Sequence, residues 1–366
     1  MDKRLESISQ KALSGGDIGR EEIRYMYDYA PLTSLGKIAS EIARSVSGNK
    51  VSFVSNLILN YTNICNVRCH FCAFYRTGKE DDSYALSEEG VLQEISKYYD
   101  RFGITQLLIQ GGVNPSLDLD YYVSLFRAIR KNFPKMGIHG LSTSEISFIS
   151  RKARITVREL LPLLVEAGLE TIPGAGAEIL SDEVRKAIGR PAGSGKEWLS
   201  IMETAHSLGI RTSATMMYGH VESSLDRADH LIAIRELQKK YRGFLSFTPW
   251  NFEPGNTKLQ ETAGISHRAG GETVLRNIAI SRIVFGSLLP VIQTSWLTNG
   301  VQMGQLAISF GANDWGGTIY DEKVIPATGK DVGNLRKETI VQSISSMGMT
   351  PVERDNLYRE IRAYSS

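Results

Sequence analysis

Residues 51–76 read VSFVSNLILNYTNICNVRCHFCAFYR and join a strand pattern to a cysteine-rich loop. The apolar and β-branched run at 53–60 predicts a buried strand. Cys65, Cys69 and Cys72 follow directly, with no helical pattern in between. In a parallel α/β barrel the reactive residues follow the strands, so the rest of the chain is expected to repeat this arrangement.

Short apolar runs alternate with amphipathic stretches after residue 51. The runs predict strands near 53–60, 105–110, 136–141, 169–173, 211–217, 243–249, 290–294 and 312–316. The amphipathic stretches predict helices near 88–103, 119–132, 156–167, 195–208, 224–241, 270–285 and 301–310. Strands that alternate with helices pair in parallel. The pattern therefore predicts an α/β fold, a (β/α)8 TIM-type barrel, with a partial six-stranded barrel as the alternative.

Helical patterns flank the predicted barrel on both sides. The first 48 residues predict helices at 5–12, 21–29 and 35–46, and the tail at 337–364 predicts two more. We expect three regions, namely an N-terminal helical extension (1–48), the barrel (49–320) and a C-terminal helical extension (321–366).

Composition restricts the class of protein. The 366 residues include 42 basic and 40 acidic side chains, a net charge of +2, which indicates no nucleic-acid partner and no polybasic membrane surface. Three cysteines cannot form a complete disulfide framework. The charged start lacks the apolar core of a secretory signal, and no apolar run approaches the ~20 residues that span a bilayer. We expect a reduced, cytoplasmic protein that acts on a small molecule.

The cysteine spacing, Cys-x3-Cys-x2-Cys, predicts a metal centre. Thiolates suit zinc and iron–sulfur clusters. A cluster of four irons held by Cys65, Cys69 and Cys72 would leave one iron open for a chelating substrate. The alternative is a zinc site with His70 as the fourth ligand, but His70 adjoins Cys69, so binding the same ion would strain the loop.

Glycines and carboxylates follow the second, third and fourth predicted strands, at Gly111, Gly112, Glu145, Gly174, Gly176 and Glu178. Paired glycines let a backbone approach a ligand closely, or form a plain tight turn. Glu145 could bind ribose hydroxyls or substrate, or could belong to a helix cap with Ser144. The strand-four glycines open space beside the Glu178 carboxylate.

The later strand ends carry candidates for chemistry and substrate binding. Tyr218 and His220 lie two residues apart and would share one side of an extended segment. Histidine accepts protons near neutral pH, although a structural histidine is the alternative. Candidates for contacting a substrate are Trp250, Asn251, Trp296, Asn313 and Asp314. Trp250 could stack on a flat ring or simply pack at the barrel rim.

The cysteine spacing, with Phe71 just before the last cysteine, resembles the signature of the radical S-adenosylmethionine (SAM) superfamily. The resemblance implies one 4Fe–4S cluster on Cys65, Cys69 and Cys72, SAM as co-substrate, and an electron donor such as flavodoxin or ferredoxin. It implies that the Gly111–Gly112 turn seats the methionine amino group. Phe71, Glu145 and the strand-four loop, with Gly174, Gly176 and Glu178, are expected to contact the rest of SAM.

Five segments together resemble the dehypoxanthinyl futalosine cyclases of menaquinone biosynthesis: 60–76, 110–115, 174–180, 250–259 and 296–317. The resemblance implies that a 5′-deoxyadenosyl radical removes a hydrogen from the sugar, and that the sugar radical closes onto the benzoate ring. His220 is the predicted final proton acceptor, with Tyr218 beside it. Alternatives are an aminofutalosine synthase, a deazaflavin-forming F0 synthase, or a zinc-binding barrel without catalysis.

Overall fold

The computed structural model of the protein describes residues 3–189 and 193–364. The strands are β1 (Lys50–Val54), β2 (Asn56–Leu59), β3 (Gln106–Ile109), β4 (Gly137–Gly140), β5 (Thr171–Ile172), β6 (Arg211–Tyr218), β7 (Phe244–Asn251), β8 (Val291–Ile292), β9 (Asp314–Gly317), β10 (Thr350–Arg354) and β11 (Glu360–Ala363). The helices are α1 (Lys3–Leu13), α2 (Arg20–Asp28), α3 (Leu32–Ser47), α4 (Glu88–Phe102), α5 (Leu119–Asn132), α6 (Thr143–Ala153), α7 (Val157–Ala167), α8 (Asp182–Ala187), α9 (Gly195–Ser207), α10 (Ser224–Tyr241), α11 (Lys258–Ala263), α12 (Gly271–Phe285), α13 (Trp296–Asn299), α14 (Val301–Ser309) and α15 (Lys337–Ser345).

Strands β2 to β8 form a parallel sheet in chain order. The segment 314–320, which begins with β9, joins the two edges of this sheet, because isolated parallel bridges link Gln293 to Asp314 on one side and Leu57 to Tyr320 on the other. The eight strands confirm the predicted (β/α)8 barrel and exclude the six-stranded alternative.

The barrel core lies between the strands and their helices. On β2 and β3, Leu57 and Leu107 join the hydrophobic core, whereas Ile58 and Leu108 face a cavity inside the barrel. This alternation follows from the period of two along a strand. The interior of a TIM barrel is usually filled with side chains, so an interior cavity here indicates space for a ligand.

The predicted first strand is in fact two strands that part at Ser55. Strand β1 belongs to a second sheet of order β11-β10-β1-β9, and β2 begins the barrel. The Ser55 carbonyl accepts hydrogen bonds from Thr105 and Gln106 N–H, and its hydroxyl donates to Glu353. One continuous apolar run can thus serve two sheets, which the pattern alone does not reveal.

The tail contains one of the two predicted helices, α15, and the second prediction is wrong. A β hairpin, β10 and β11, takes its place, and β10 pairs in parallel with β1. Pairing with a strand about 300 residues earlier overrides local propensity. The turn of the hairpin reaches the amino ends of the barrel strands, where Asn356 accepts hydrogen bonds from Gln106 and Thr171.

The three predicted N-terminal helices are present and pack on the outside of the barrel. Helix α3 lies against α12, and α2 lies against α10 and α12. Within the described residues, no helix combines the length and apolar character needed to cross a membrane. Helices α8, α11 and α13 were not predicted, and α6 confirms the helix start that was one of the two interpretations of Glu145. In α6 a Ser- and Thr-rich sequence of modest helix propensity is stabilised by a capping box.

Candidate active site at the carboxyl ends of the strands

The cysteine loop leaves the carboxyl end of β2 and is held by backbone hydrogen bonds. Cys65 N–H donates to the Arg76 carbonyl at 2.9 Å, and Arg76 N–H donates to the Asn63 carbonyl at 2.7 Å. The Arg76 guanidinium pairs with Asp82 at 2.6 Å. The two ends of the cysteine loop are therefore hydrogen-bonded to each other.

Cys65, Cys69 and Cys72 line one cavity of about 210 Å³, here called the cysteine cavity. Among the described residues, none of the three forms a disulfide bond. Burial raises the pKa of the Cys72 thiol, and the nearby Cys65 adds to the rise. The cavity also gathers several of the predicted cofactor residues, namely Phe71, Gly111, Gly112, Glu145, Gly176 and Glu178.

The zinc alternative loses its fourth ligand in the structure. The His70 ring packs against Gly189 and lines a different space from the three cysteines. Among the described residues, no group of three or more His, Cys, Asp or Glu side chains forms a metal site by itself. Three thiols around one cavity fit a multi-iron cluster, in which each cysteine ligates its own iron.

The Gly111–Gly112 turn packs against the cysteine loop itself. A Cβ on Gly112 would lie 2.3 Å from the Ile64 carbonyl oxygen and 2.9 Å from Cys65 Cβ. Asn66 N–H donates to the Val113 carbonyl at 3.0 Å. The close approach predicted for a ligand is therefore made by the loop backbone, and it fixes the position of the first cysteine.

Glu145 is buried in the wall of the cysteine cavity and accepts four hydrogen bonds. The donors are Ser142 N–H and Oγ, both at 2.6 Å, Tyr61 Oη at 2.5 Å and Gly111 N–H at 3.1 Å. Burial raises the pKa of Glu145, against the opposing effect of Ser142 and Tyr61. Glu145 also completes a capping box of α6, but with Ser142 rather than Ser144 as the N-cap.

The loop after β5 passes between two cavities. Gly176 and Glu178 line the cysteine cavity, whereas Gly174 lines the interior of the barrel. The buried Arg185 guanidinium donates to the Gly176 and Ala177 carbonyls, which holds the loop in place.

The barrel cavity, of about 260 Å³, lies inside the strands and meets the cysteine cavity at Gln110 and Ala175, which line both. Aromatic rings and short hydroxyl side chains line it, among them Trp250, Trp296, Trp315, Ser213, Thr215, Ser246 and Thr248. Trp250 and Trp296, which were predicted to contact a substrate, therefore line the barrel cavity. Gln110 Nε2 and Trp315 Nε1 are buried and have no hydrogen-bond partner within residues 3–189 and 193–364.

Tyr218 and His220 line neither cavity. The His220 side chain is fully buried, with Nε2 3.1 Å from the Met217 carbonyl and Nδ1 3.2 Å from Glu222 Oε2. Burial lowers the pKa of His220, although Glu222 opposes the shift. Burial also raises the pKa of the enclosed Tyr218 hydroxyl. Their predicted catalytic roles are not supported by this placement.

Three predicted substrate residues have structural partners instead. Asn251 points away from Trp250 along β7 and bonds to the backbone of Ala269. Asn313 accepts hydrogen bonds from Arg282 and from Ile292 N–H. Asp314 is fully buried beside Arg354, with 2.6 Å between its Oδ2 and the guanidinium Nε. None of the three lines either cavity.

Other residues that line the barrel cavity were not predicted from the sequence. Ser213 and Thr215, and likewise Ser246 and Thr248, repeat every second residue on β6 and β7, so the period of two could have indicated them. Arg354 and Tyr358 line the barrel cavity from the hairpin, and no local signal points to them.

A parallel barrel that carries three thiols at the carboxyl ends of its strands, beside an interior cavity, has the arrangement expected of an iron–sulfur enzyme. A model of the radical SAM superfamily matches residues 59–233, and one of the CofH/MqnC C-terminal region matches residues 241–365. The chain belongs to the radical SAM superfamily, and this membership implies a 4Fe–4S cluster and SAM.

Three curated relatives match nearly the whole chain. The 5-amino-6-(D-ribitylamino)uracil–L-tyrosine 4-hydroxyphenyl transferase of Methanothermobacter thermautotrophicus is 37% identical, covering 98% of each chain. The aminodeoxyfutalosine synthase of Thermus thermophilus is 35% identical over 99% of this chain and 97% of its own. The cyclic dehypoxanthine futalosine synthase of Halalkalibacterium halodurans is 34% identical over 98% and 96%.

Methylornithine synthase shares the fold. Its crystal structure matches with a TM-score of 0.72 and 17% identity, covering 94% of this chain and 97% of that one. At this identity the likeness concerns the fold alone.

Proposed function

We propose that this enzyme cyclises dehypoxanthine futalosine to cyclic dehypoxanthine futalosine, a step of menaquinone biosynthesis. The observation that carries the proposal is the barrel cavity, which is lined by indoles and hydroxyls and opens onto the cysteine cavity. Dehypoxanthine futalosine carries a sugar and a benzoate ring in one molecule. The hydroxyls of the lining suit the sugar, and the indoles suit the ring.

The cysteine cavity holds the radical source in this proposal. Cys65, Cys69 and Cys72 would hold the cluster, which would supply the electron for reductive cleavage of SAM to methionine and a 5′-deoxyadenosyl radical. The Gly111–Gly112 turn fixes the cysteine loop, and its Gly111 N–H is already bonded to Glu145. Glu145 and Glu178 lie on the cavity wall, where SAM would present its ribose and amino groups.

The barrel cavity orients the substrate. Trp250 and Trp296 provide flat surfaces for the benzoate ring, because aromatic rings stack favourably. Thr215 and Thr248 also line this cavity, where their hydroxyl oxygens would accept hydrogen bonds from sugar hydroxyls. Gln110 Nε2 and Trp315 Nε1, which have no partner among the described residues, would donate to acceptor atoms of the ligand, since buried N–H groups in proteins almost always have partners. Holding the sugar and the arene together and excluding water would favour ring closure.

In this proposal His220 positions the Glu178 loop and does not transfer a proton. Its ring bonds to the Met217 carbonyl, and Met217 N–H donates to the Glu178 carbonyl at 2.9 Å. His220 therefore supports the loop that presents Glu178 to the cysteine cavity.

The three relatives are similarly distant, so identity does not choose among their reactions. The Gly-Gly-Val-Asn-Pro turn at 111–115 and the Pro-Trp-Asn-Phe-Glu-Pro-Gly-Asn-Thr loop at 249–257 favour the cyclase by their resemblance. A single substrate beside SAM, which the barrel cavity can accommodate, favours the cyclase over the transferase but does not separate it from the aminodeoxyfutalosine synthase.

An anaerobic substrate panel tests the proposal. The reduced enzyme is incubated with SAM in three separate reactions. The first contains dehypoxanthine futalosine, the second contains the substrate of aminodeoxyfutalosine synthase, and the third contains 5-amino-6-(D-ribitylamino)uracil with L-tyrosine. We expect 5′-deoxyadenosine and a product two hydrogens lighter than the substrate only with the first. If the enzyme instead turns over one of the other two substrate sets and does not cyclise dehypoxanthine futalosine, the cyclase assignment is wrong and the enzyme catalyses the reaction of that relative.

A further inference from the structure

The cysteine loop separates two spaces. One is the cysteine cavity, and the other is an outer groove on the opposite side of the loop, to which Arg68, His70, Lys186 and Lys258 contribute. Val67 and Tyr75 line both spaces. At these positions the wall between the cysteines and the outer groove is one residue thick.

Two neighbouring segments are attached directly to the loop. His70 N–H donates to the Ile188 carbonyl at 3.1 Å, just after α8, and Leu259 N–H in α11 donates to the His70 carbonyl at 2.7 Å. Gly189 has a φ of 62°, and a Cβ there would lie 2.1 Å from the His70 ring. Lys186 and Lys258 are therefore held at fixed positions beside the cysteine loop.

The outer groove is positively charged. Arg68, Lys186 and Lys258 line it and are exposed, and Asp182 is the carboxylate on its lining. Arg185 also lines the groove but is buried and bonds to backbone carbonyls. Within the described residues, no ion pair involves Lys186 or Lys258, so their charge is available to a partner.

We propose that the outer groove is the docking surface for a small acidic electron-transfer protein that reduces the cluster. This inference rests on the cluster of the proposed function but not on the identity of the substrate. SAM and substrate would fill the inner side of the loop, so a donor protein approaches from the outer side. One electron passes from the donor's flavin hydroquinone, which becomes the semiquinone, to the cluster, and no group is transferred. Opposite charges on the two proteins accelerate their encounter.

The test measures cluster reduction rather than product. The full chain is loaded anaerobically with its cluster and mixed with flavodoxin in the hydroquinone state, and the loss of cluster absorbance is followed by stopped flow. We expect Lys186→Glu combined with Lys258→Glu to slow this reduction by about tenfold or more at low ionic strength. Reduction of the same variant by dithionite, a small chemical reductant, should match that of the wild type.

Lys131→Glu combined with Lys135→Glu is the matched control, because both lysines are exposed and precede β4, at the opposite end of the barrel. It should behave as the wild type with both reductants. The proposal fails if the groove variant keeps the wild-type rate with flavodoxin, or if the control variant slows equally. A wild-type protein that binds no cluster, or whose cluster dithionite cannot reduce, would instead contradict the proposed function.

Discussion

Tyr61 and Glu145 are joined by a hydrogen bond of 2.5 Å in the wall of the cysteine cavity. The bond ties the chain just before the cysteine loop to the first turn of α6. Because Glu145 also accepts from Gly111 N–H, one carboxylate connects the carboxyl ends of three successive barrel strands. The geometry of the cysteine cavity therefore depends on Glu145, whose bonds to Tyr61 and Gly111 no local sequence motif reveals.

Glu145→Gln should weaken SAM binding and lower stability by about 1–3 kcal/mol, because an amide NH₂ would face donors that the carboxylate now satisfies. SAM affinity by equilibrium dialysis and thermal melting measure the two effects. Glu159→Gln is the control, since Glu159 caps α7 in the same way but is exposed. Equal effects of the two substitutions on SAM affinity would show that Glu145 acts only as a helix cap.

Gly112→Ala should displace the cysteine loop, because the new methyl group would overlap the Ile64 carbonyl. Iron content after anaerobic reconstitution should fall to less than half of the wild-type value. Gly270→Ala is the control, because a Cβ there meets no atom within 4 Å. Full iron loading of Gly112→Ala would mean that the turn does not position Cys65.

Asp314→Asn should cost about 3–5 kcal/mol of unfolding free energy, because it leaves the buried Arg354 without its counter-charge. Glu360→Gln, which removes an exposed pair with Lys50, should change stability by less than about 1 kcal/mol. Urea unfolding measures both. A raised KM with unchanged stability for Asp314→Asn would restore the predicted substrate-binding role.

His220→Ala should raise the KM for SAM more than it lowers kcat, because the ring supports the Glu178 loop and lines neither cavity. The pH profile of kcat should keep its shape, since the ring lines neither cavity and so does not reach the reacting atoms. His220→Gln places its amide nitrogen near the position of the imidazole Nε2, so it can still donate to the Met217 carbonyl and should recover part of the affinity. Loss of the acid limb of the profile in His220→Ala would identify His220 as the proton acceptor.

Glu322 predicts a pH dependence of stability. Burial raises the pKa of Glu322 to about 7, although Ile325 and Val324 N–H donate to its carboxylate. A raised folded pKa means that the contribution of Glu322 is greatest below its unfolded pKa and is lost as the pH rises through 7. The stability of the wild type relative to Glu322→Gln should therefore fall between about pH 4.5 and 7 and level off above. A pH-independent difference in melting temperature would contradict this.

Much of the fold was predictable because its signals are local. Alternating strand and helix periods gave the barrel, and the predicted helices at 88–103 and 224–241 correspond to α4 and α10. The cysteine spacing predicted that the three thiols share one cavity, since thiols within eight residues of one loop lie close together wherever that loop is placed.

The orientation of side chains within the site was less predictable. Trp250 and Asn251 are neighbours on β7, and both are chemically suitable for a substrate. Only the register of β7 in the barrel decides that Trp250 faces the barrel cavity and Asn251 faces outward.

The sequence by itself determined the barrel and the chemistry of the cysteine loop, because both depend on residues near one another in the chain. The tertiary structure alone decided what surrounds that chemistry. It brings Arg354 and Tyr358 of the tail to the interior of a barrel that begins about 300 residues earlier, and it places Lys186 and Lys258 behind the cysteine loop. Contacts between distant segments form where packing and strand pairing are best satisfied, and no local pattern records them.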